Sequence, residues 1–363
     1  GVDQVLLRHD TVWEDTGGAR PGATARVLAA DPGLFGQANF GESGRNILPP
    51  NVPPEDYREG LLSPVQLYDV REPVPTVRVE PVRGSLLVAG DAWSIPPMAR
   101  EGLLRNTPLF RYTSDLDDES YGSAIDDSGR IVLTDTNRRR ASITNRLTSG
   151  NGALLTEDET PDLTRALGEP DDQTVLRRSG ILAEASEEGA TFFEMPNAVA
   201  EHAVDGDPGT AWIFGDFRRA PGTTLTLDLP EPRTLDELSI DTTALGDVTI
   251  SGFDVEVDGE RTSAEVDEDG TATADLGGVR ADEITLTVEG IRGEGFSLVG
   301  ISEIDLGVDV TAERTARLPR SIDRMYSGLT SQERRQFAQV PLDVYLTRVV
   351  NTPSGRDDSE ADL

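Results

Sequence analysis

The sequence predicts a multidomain chain of mixed class, with a small α/β domain followed by an all-β sandwich. Two patterns carry that reading. Between residues 84 and 135, short and wholly apolar runs alternate with a helical stretch, as in a parallel sheet covered on both faces. Between 223 and 306, apolar residues recur at every second position, so that each strand turns one face to a core and one to water. A length of 363 residues suits two or three domains, each able to bury its own core.

The elements follow in order. Val5-Leu6-Leu7 reads as an opening strand. It lies so close to Gly1-Val2-Asp3 that the chain looks like a piece excised from a longer protein. A short helix is expected over 20–30, with Pro21 in its first turn and Asp31-Pro32-Gly33 as its stop. Residues 41–60, rich in Gly, Pro and Asn, read as loop. Residues 84–90 form a buried-strand run, 98–104 a helix, and 108–112 and 130–135 two further strands. Together these make an α/β domain over 1–170. Its end, at 149–176, has the composition of a linker: Ser149-Gly150-Asn151-Gly152, then an acidic run to Asp171-Asp172.

The sandwich is expected over 178–308. Its alternating runs lie at 223–229, 238–241, 253–258, 272–276, 283–288 and 301–306, with Asp258-Gly259 and Asp269-Gly270 as hairpin turns. Residues 309–352 form a short third part, a capped helix at 331–337 and a strand at 342–347, packing back on the rest. The acidic tail 353–363 is expected to be disordered.

Composition excludes several functions. The formal charge is −33, so a nucleic acid partner is disfavoured, because phosphates need a basic face. An anionic membrane surface is disfavoured for the same reason, and neutral glycans are not penalised. No run approaches the roughly 20 apolar residues of a membrane-spanning helix. With no cysteine, thiolate catalysis and Cys-ligated zinc are out. The two histidines, His9 and His202, lie far apart in sequence, and His9 follows a strand where a surface or hydrogen-bonded role fits better than a catalytic one.

The most informative stretch is Asp205-Gly206-Asp207-Pro208-Gly209-Thr210-Ala211-Trp212, with Ile301-Ser302-Glu303-Ile304-Asp305-Leu306 as its distant partner. The pair resembles the opening signature and closing strand of discoidin-like (coagulation factor 5/8 type C) domains, which implies a jelly-roll β-sandwich that binds ligands with loops at one end. A hard cation such as Ca²⁺ takes six to eight oxygens. A tight loop can turn the oxygens of Asp205, Asp207 and Thr210 inward, and Glu303 would add a carboxylate. The resemblance implies that such an ion is structural, that backbone carbonyls of His202 and Ser302 complete its shell, and that Trp212 packs in the core. The alternative is an acidic turn that holds no ion. For a sugar, which needs an aromatic face and planar hydrogen-bonding groups, the candidates are Phe192, Phe193, Phe214, Phe217, Arg218 and Arg219.

The flanking motifs widen the resemblance. Val5-Leu6-Leu7-Arg8-His9-Asp10, Ala29-Ala30-Asp31-Pro32-Gly33-Leu34, Leu133-Thr134-Asp135-Thr136-Asn137-Arg138-Arg139 and Leu342-Asp343-Val344-Tyr345-Leu346-Thr347-Arg348 resemble the extracytoplasmic region of actinobacterial α-(1→3)-arabinofuranosyltransferases. That implies a non-catalytic, carbohydrate-binding segment tethered to a membrane-embedded catalytic domain of the same polypeptide. Its ligand would be an arabinofuranose-containing glycan of the cell-wall arabinan. Two alternatives stand beside it. One is a glycoside hydrolase with paired carboxylates among Asp115, Asp117, Asp118, Glu119 and Asp135. The other is a structural or adhesive module that binds a protein.

Overall fold

The computed structural model describes residues 2–11, 21–43, 62–73, 75, 77, 79–104, 109–140, 154–160, 168–189, 195, 198–215, 219–295 and 298–347. The chain opens with β1 (Gln4–Arg8), α1 (Pro21–Ala30), β2 (Leu34–Phe40) and β3 (Val65–Val70). The three strands form an antiparallel sheet in the order β1-β3-β2. The strand at Val5 and the helix at Pro21 were expected. β2 and β3 were not, because neither Leu-Phe-Gly-Gln-Ala-Asn-Phe nor Val-Gln-Leu-Tyr-Asp-Val keeps a strict alternation.

A parallel sheet follows. β4 (Ser85–Ala89) leads through α2 (Ile95–Arg100) to β5 (Phe110–Tyr112), and α3 (Tyr121–Asp127) leads to β6 (Ser128–Thr134). β5 and β6 flank β4, both parallel to it. All five residues of β4 are buried, as expected for a strand covered on both faces.

The chain then enters the all-β region through β7 (Val175–Gly180). It continues through β8 (Leu182–Ala185), β9 (Trp212–Phe214), β10 (Thr224–Ala244), β11 (Thr249–Val257), β12 (Glu260–Glu265), β13 (Thr271–Arg292) and β14 (Val299–Asp305), and leaves by β15 (Ala312–Arg317). The pairing order is β12-β11-β13-β10-β14-β9, with β8 also on β10. The sequence suggests four separate strands where the structure has two long ones, β10 and β13, of 21 and 22 residues. Their pairing is broken between Asp228 and Arg233 and again between Leu235 and Glu237. Pro230 and Pro232, which lack an N–H for the ladder, fall in the first break. The two halves of the pair contribute to one core: Leu225, Leu227, Ile284 and Leu286 from one, Leu238, Ile240, Ala272 and Ala274 from the other. The sheet thus folds over on itself as a jelly-roll sandwich. The turn between β11 and β12 is Asp258-Gly259, both with positive φ (52° and 79°), as a two-residue hairpin requires.

β7 and β15, the strands entering and leaving the sandwich, pair antiparallel as a separate two-stranded ribbon. Beyond it come α4 (Ser321–Gly328), α5 (Ser331–Phe337) and β16 (Leu342–Tyr345). Thr330 and Glu333 close a reciprocal cap on α5. β16 adds to the parallel sheet beside β6, giving the order β16-β6-β4-β5. One face of this sheet packs Leu87 and Ile131 against Tyr121, Ile125, Ile322 and Met325. The other packs Leu86, Val88 and Val132 against Met98. The α/β domain is therefore built from both ends of the chain, and the sandwich is inserted between β6 and α4.

The composition of 149–176 suggests a linker, yet Leu154 and the stretch 172–176 are packed, while Glu157, Asp158 and Thr160 stay exposed. Leu154, Asp172, Gln173 and Thr174 are buried. Arginines of the α/β domain take up its acids and carbonyls: Arg324 donates to Asp172 at 2.6 Å and Arg139 to the Glu159 carbonyl at 2.6 Å. Acidic, proline-containing composition here supplies ion-pair partners. The tail 353–363 lies outside the described residues.

Candidate functional site

The loop 204–211 leads into β9 and is shaped by its own acids. Asp205 Oδ1 accepts from the Asp207 amide at 2.9 Å, and Asp207 Oδ1 from the Gly209 amide at 2.8 Å. Gly206 sits at φ 82°, a left-handed conformation that side chains resist. The Thr210 hydroxyl has three oxygens near it: both Asp205 carboxylate oxygens, at 3.1 and 2.9 Å, and the Asp207 carbonyl at 2.9 Å. It has one proton to give, so acceptors outnumber donors.

Glu303 comes to this loop from β14. Its Oε1 accepts from the Ile304 amide at 3.3 Å, its Oε2 is buried without a hydrogen bond of full geometry, and the Gly206 amide of the loop also favours the ionised carboxylate. Burial pushes its carboxyl above the usual range, and the negative charges of Asp205 and Asp305 add to that. A buried carboxylate oxygen without a full hydrogen bond, beside a second carboxylate, fits a cation. Asp205 and Glu303 would be its charged ligands, with Thr210 and main-chain oxygens as neutral donors, and Ca²⁺ is the ion such an all-oxygen set suits. Its contribution would be to hold the loop to β14. The Asp207 carboxylate is turned to Gly209. The Ser302 hydroxyl donates to the Asp241 carbonyl at 3.2 Å, and the His202 amide to the Val199 carbonyl at 3.2 Å. Among the described residues, no three His, Cys, Asp or Glu side chains come together in a metal-holding group, so any ion here rests on two carboxylates.

This loop lies at the junction with the ribbon. The Ala312 amide donates to the Val204 carbonyl at 2.9 Å. Just before the loop, Glu201 is 1% exposed and faces Arg178 of β7 at 2.7 Å and Arg314 of β15 at 2.9 Å.

The other end of the sandwich is defined by register. Phe214 pairs with Val299 and Ala244 pairs with Val299, while Thr249 pairs with Arg292. The turns after β9, between β10 and β11, and between β13 and β14 are therefore gathered together. Arg219 lies in the first of these turns and is exposed. The other expected sugar contacts, Phe192, Phe193, Phe217 and Arg218, lie outside the described residues. Phe214, also weighed as a contact, is fully buried and stacks on Trp212 with ring centroids 3.9 Å apart. Trp212 is core, as expected, and its indole N–H donates to the Glu187 carbonyl at 3.0 Å.

In the α/β domain, Asp135 is not a free carboxylate. It pairs with Arg138 at 2.6 Å, and its Oδ1 accepts from the amide and the hydroxyl of Thr347, each at 2.8 Å. Asp117 caps the turn at Ser120, accepting from its amide at 3.0 Å. Sequence reasoning passed over Asp91, which is 8% exposed at the end of β4, and its neighbour Trp93, which is 69% exposed. A Gly-Asp step straight after an apolar strand was the available signal.

Fold and loops define a class: an α/β domain bearing a discoidin-like sandwich of the carbohydrate-binding-module kind. The relationship is narrower than that. Residues 183–293 match the family model described as "Arabinofuranosyltransferase D, third carbohydrate binding module", and residues 1–168 match "Alpha-(1->3)-arabinofuranosyltransferase, N-terminal GT-C domain". The resemblance to these transferases read from short motifs is borne out in both parts of the chain. An α-(1→3)-arabinofuranosyltransferase of Mycolicibacterium smegmatis is 26% identical over 268 residues, covering 66% of this chain and 18% of the relative. A cryo-EM structure of the arabinofuranosyltransferase AftD from Mycobacteria aligns with a TM-score of 0.62 at 21% identity, over 88% of this chain and 27% of that one. The chain thus spans about a fifth to a quarter of the relatives it matches. A family 32 carbohydrate-binding module from C. perfringens aligns over 38% of this chain and 100% of the module, with a TM-score of 0.28 and 19% identity. Among the described residues, including those that match the GT-C model, no helix is long and apolar enough to cross a membrane.

Proposed function

We propose that this chain is an extracytoplasmic, glycan-binding segment of a membrane arabinofuranosyltransferase. It holds arabinofuranose-containing glycan for a membrane-embedded catalytic domain of the same polypeptide and does not itself catalyse transfer. The process served is synthesis of cell-wall arabinan, in arabinogalactan or lipoarabinomannan. The observation that carries this reading is the carbohydrate-binding-module match over a sandwich whose turns gather at the end bearing Arg219. The acidic surface repels anionic partners and leaves a neutral glycan unpenalised. In the same reading Ca²⁺ occupies the Asp205–Glu303 loop as a structural ion.

The test is an NMR titration of the chain with arabinofuranosyl oligosaccharides, with calcium present and then with chelator. Millimolar binding, with shifts confined to the turns around Arg219 and weakened several-fold by Arg219→Ala, is the expected result. Absence of any shift at several millimolar, with the fold intact, would overturn glycan binding in favour of a scaffolding role. Release of free sugar from arabinogalactan by the chain would overturn the non-catalytic assignment.

A further inference from the structure

The parallel sheet has a feature that the sandwich does not explain. Its order is β16-β6-β4-β5. From β4 the chain moves to β5 on one side. From β6 it leads on to β16 on the other. The loops leaving the carboxyl ends of β4 and β6 thus diverge, and in open α/β sheets the crevice between two such strands is where ligands bind.

Residues that follow β4 and β6, and the end of β5, meet at this point. Gly90, at the exit of β4, lies so close to β6 that a Cβ there would stand 2.2 Å from Thr134 Oγ1. Asp91 follows, 8% exposed, its Oδ1 accepting the Trp93 amide at 3.1 Å while the Thr136 hydroxyl bonds to it from the β6 side. Its own amide is a third donor to it, and a carboxylate has about four acceptor positions, so one is left. Burial holds the Asp91 carboxyl above its usual range, and the charge of Asp135 adds to that. Tyr112, at the end of β5, pairs in register with Val88 of β4 and packs on the cluster of Val88 and Met98, and burial raises its hydroxyl above the usual range. Trp93 then stands 69% exposed, an indole left in water beside a buried acid.

The chemistry selects the ligand. A phosphate or nucleotide would meet the Asp91 carboxylate already capping the first turn after β4, where a phosphate site needs free amides. A neutral polyol does not need them. Its hydroxyls donate to a carboxylate, and its C–H face packs on an aromatic ring.

We propose that the carboxyl end of the parallel sheet is a second saccharide site, in which a neutral sugar ring stacks on Trp93 and donates a hydroxyl hydrogen bond to Asp91. The site lies in the α/β domain and does not depend on the sandwich reading. Two saccharide sites on one chain would hold a branched or extended glycan at two points, raising avidity without tightening either contact.

The test follows the indole N–H signals of the three tryptophans in the full chain by NMR, with Trp93 identified by Trp93→Phe. Titration with an arabinofuranosyl oligosaccharide, and separately with a malto-oligosaccharide as a neutral hexose probe, should move the Trp93 signal at millimolar concentration and leave buried Trp212 in place. Asp91→Asn keeps a helix-capping side chain and should weaken the Trp93 response about tenfold. Trp93→Ala, at an exposed position, should abolish the saccharide-induced shifts of the backbone amides of residues 90–94 with the fold intact. A Trp93 signal that neither saccharide moves, or that moves with uridine diphosphate instead, would overturn the proposal. Arg219→Ala separates the two sites: a Trp93 response that survives it is expected here, and one lost with it would mean that Trp93 only reports on the sandwich.

Discussion

The sandwich and the α/β domain solve the problem of burying a core in opposite ways. The sandwich is one unbroken stretch of chain. Among the described residues, its large core cluster, from Ile181 to Ala312, draws on none outside that stretch. The α/β domain joins β4, β5 and β6 to helices and a strand some 190 residues later, so that Leu87 and Ile131 share a cluster with Ile322 and Met325. A self-contained insertion can be changed in its loops without disturbing its host. A split host depends on the insertion to bring its two halves together, and the β7–β15 ribbon does that by placing the strands that enter and leave the sandwich side by side.

This contrast predicts two separable unfolding units. The largest effect is expected from Trp212→Ala. It removes a side chain 1% exposed and stacked on Phe214, and should cost the sandwich about 3–5 kcal/mol. Met325→Ala, at a fully buried position in the other core, should cost the α/β domain about 2–5 kcal/mol. Denaturant unfolding followed by near-UV signals and by hydrogen exchange should show each substitution moving its own transition. Both moving a single shared transition would break the comparison. Next comes Glu201→Gln, which leaves Arg314 facing no charge at the ribbon. Removing one partner of a buried pair costs about 3 kcal/mol, and here the loss should bring forward the unfolding of both units, since Glu201 ties β7 to β15.

A smaller change sharpens the picture of the split domain. Asp135→Asn keeps an acceptor for Thr347 but loses the charge facing Arg138. It should destabilise the docking of β16 by about 1–2 kcal/mol, seen as faster amide exchange in 342–345 with the sandwich unaffected.

The two regions also differ in how much of them the sequence discloses. Alternation at 223–229, 253–258 and 283–288 reports a local property, and the strands lie there. The same alternation could not say that β10 carries on past the break at Pro230 and Pro232, because the pairing that resumes at Arg233 depends on the partner strand. In the α/β domain the runs at 84–90 and 130–135 were legible as buried strands. That β16 completes their sheet was not, since Leu-Asp-Val-Tyr carries no mark of its neighbour. Asp91 escaped notice because one acid among 66 is conspicuous only once its burial is known. The Asp205–Thr210 loop was legible because its spacing is itself the structure, each acid accepting from an amide two residues on.

The subtlest effect concerns that loop and runs against the usual behaviour of an acid. Glu303 is raised from its ordinary value of 4.5, by burial first and then by Asp205 and Asp305. Between that value and its native one, the folded state holds more protons than the unfolded state. Stability therefore falls as pH rises through this window, whereas an ion-paired carboxylate would gain. A bound cation reverses the sign, because it favours the ionised form. In chelator, the melting temperature should drop as pH is raised from about 4.5. With millimolar calcium the drop should vanish or invert. Glu303→Gln should make the profile in chelator shallower, the slope from buried Asp91 and Glu188 remaining, and should remove the response to calcium. Two profiles that coincide with and without calcium would mean that the loop is an acidic turn whose buried oxygen is simply tolerated. The junction between the two regions would then rest on Glu201 and its arginines.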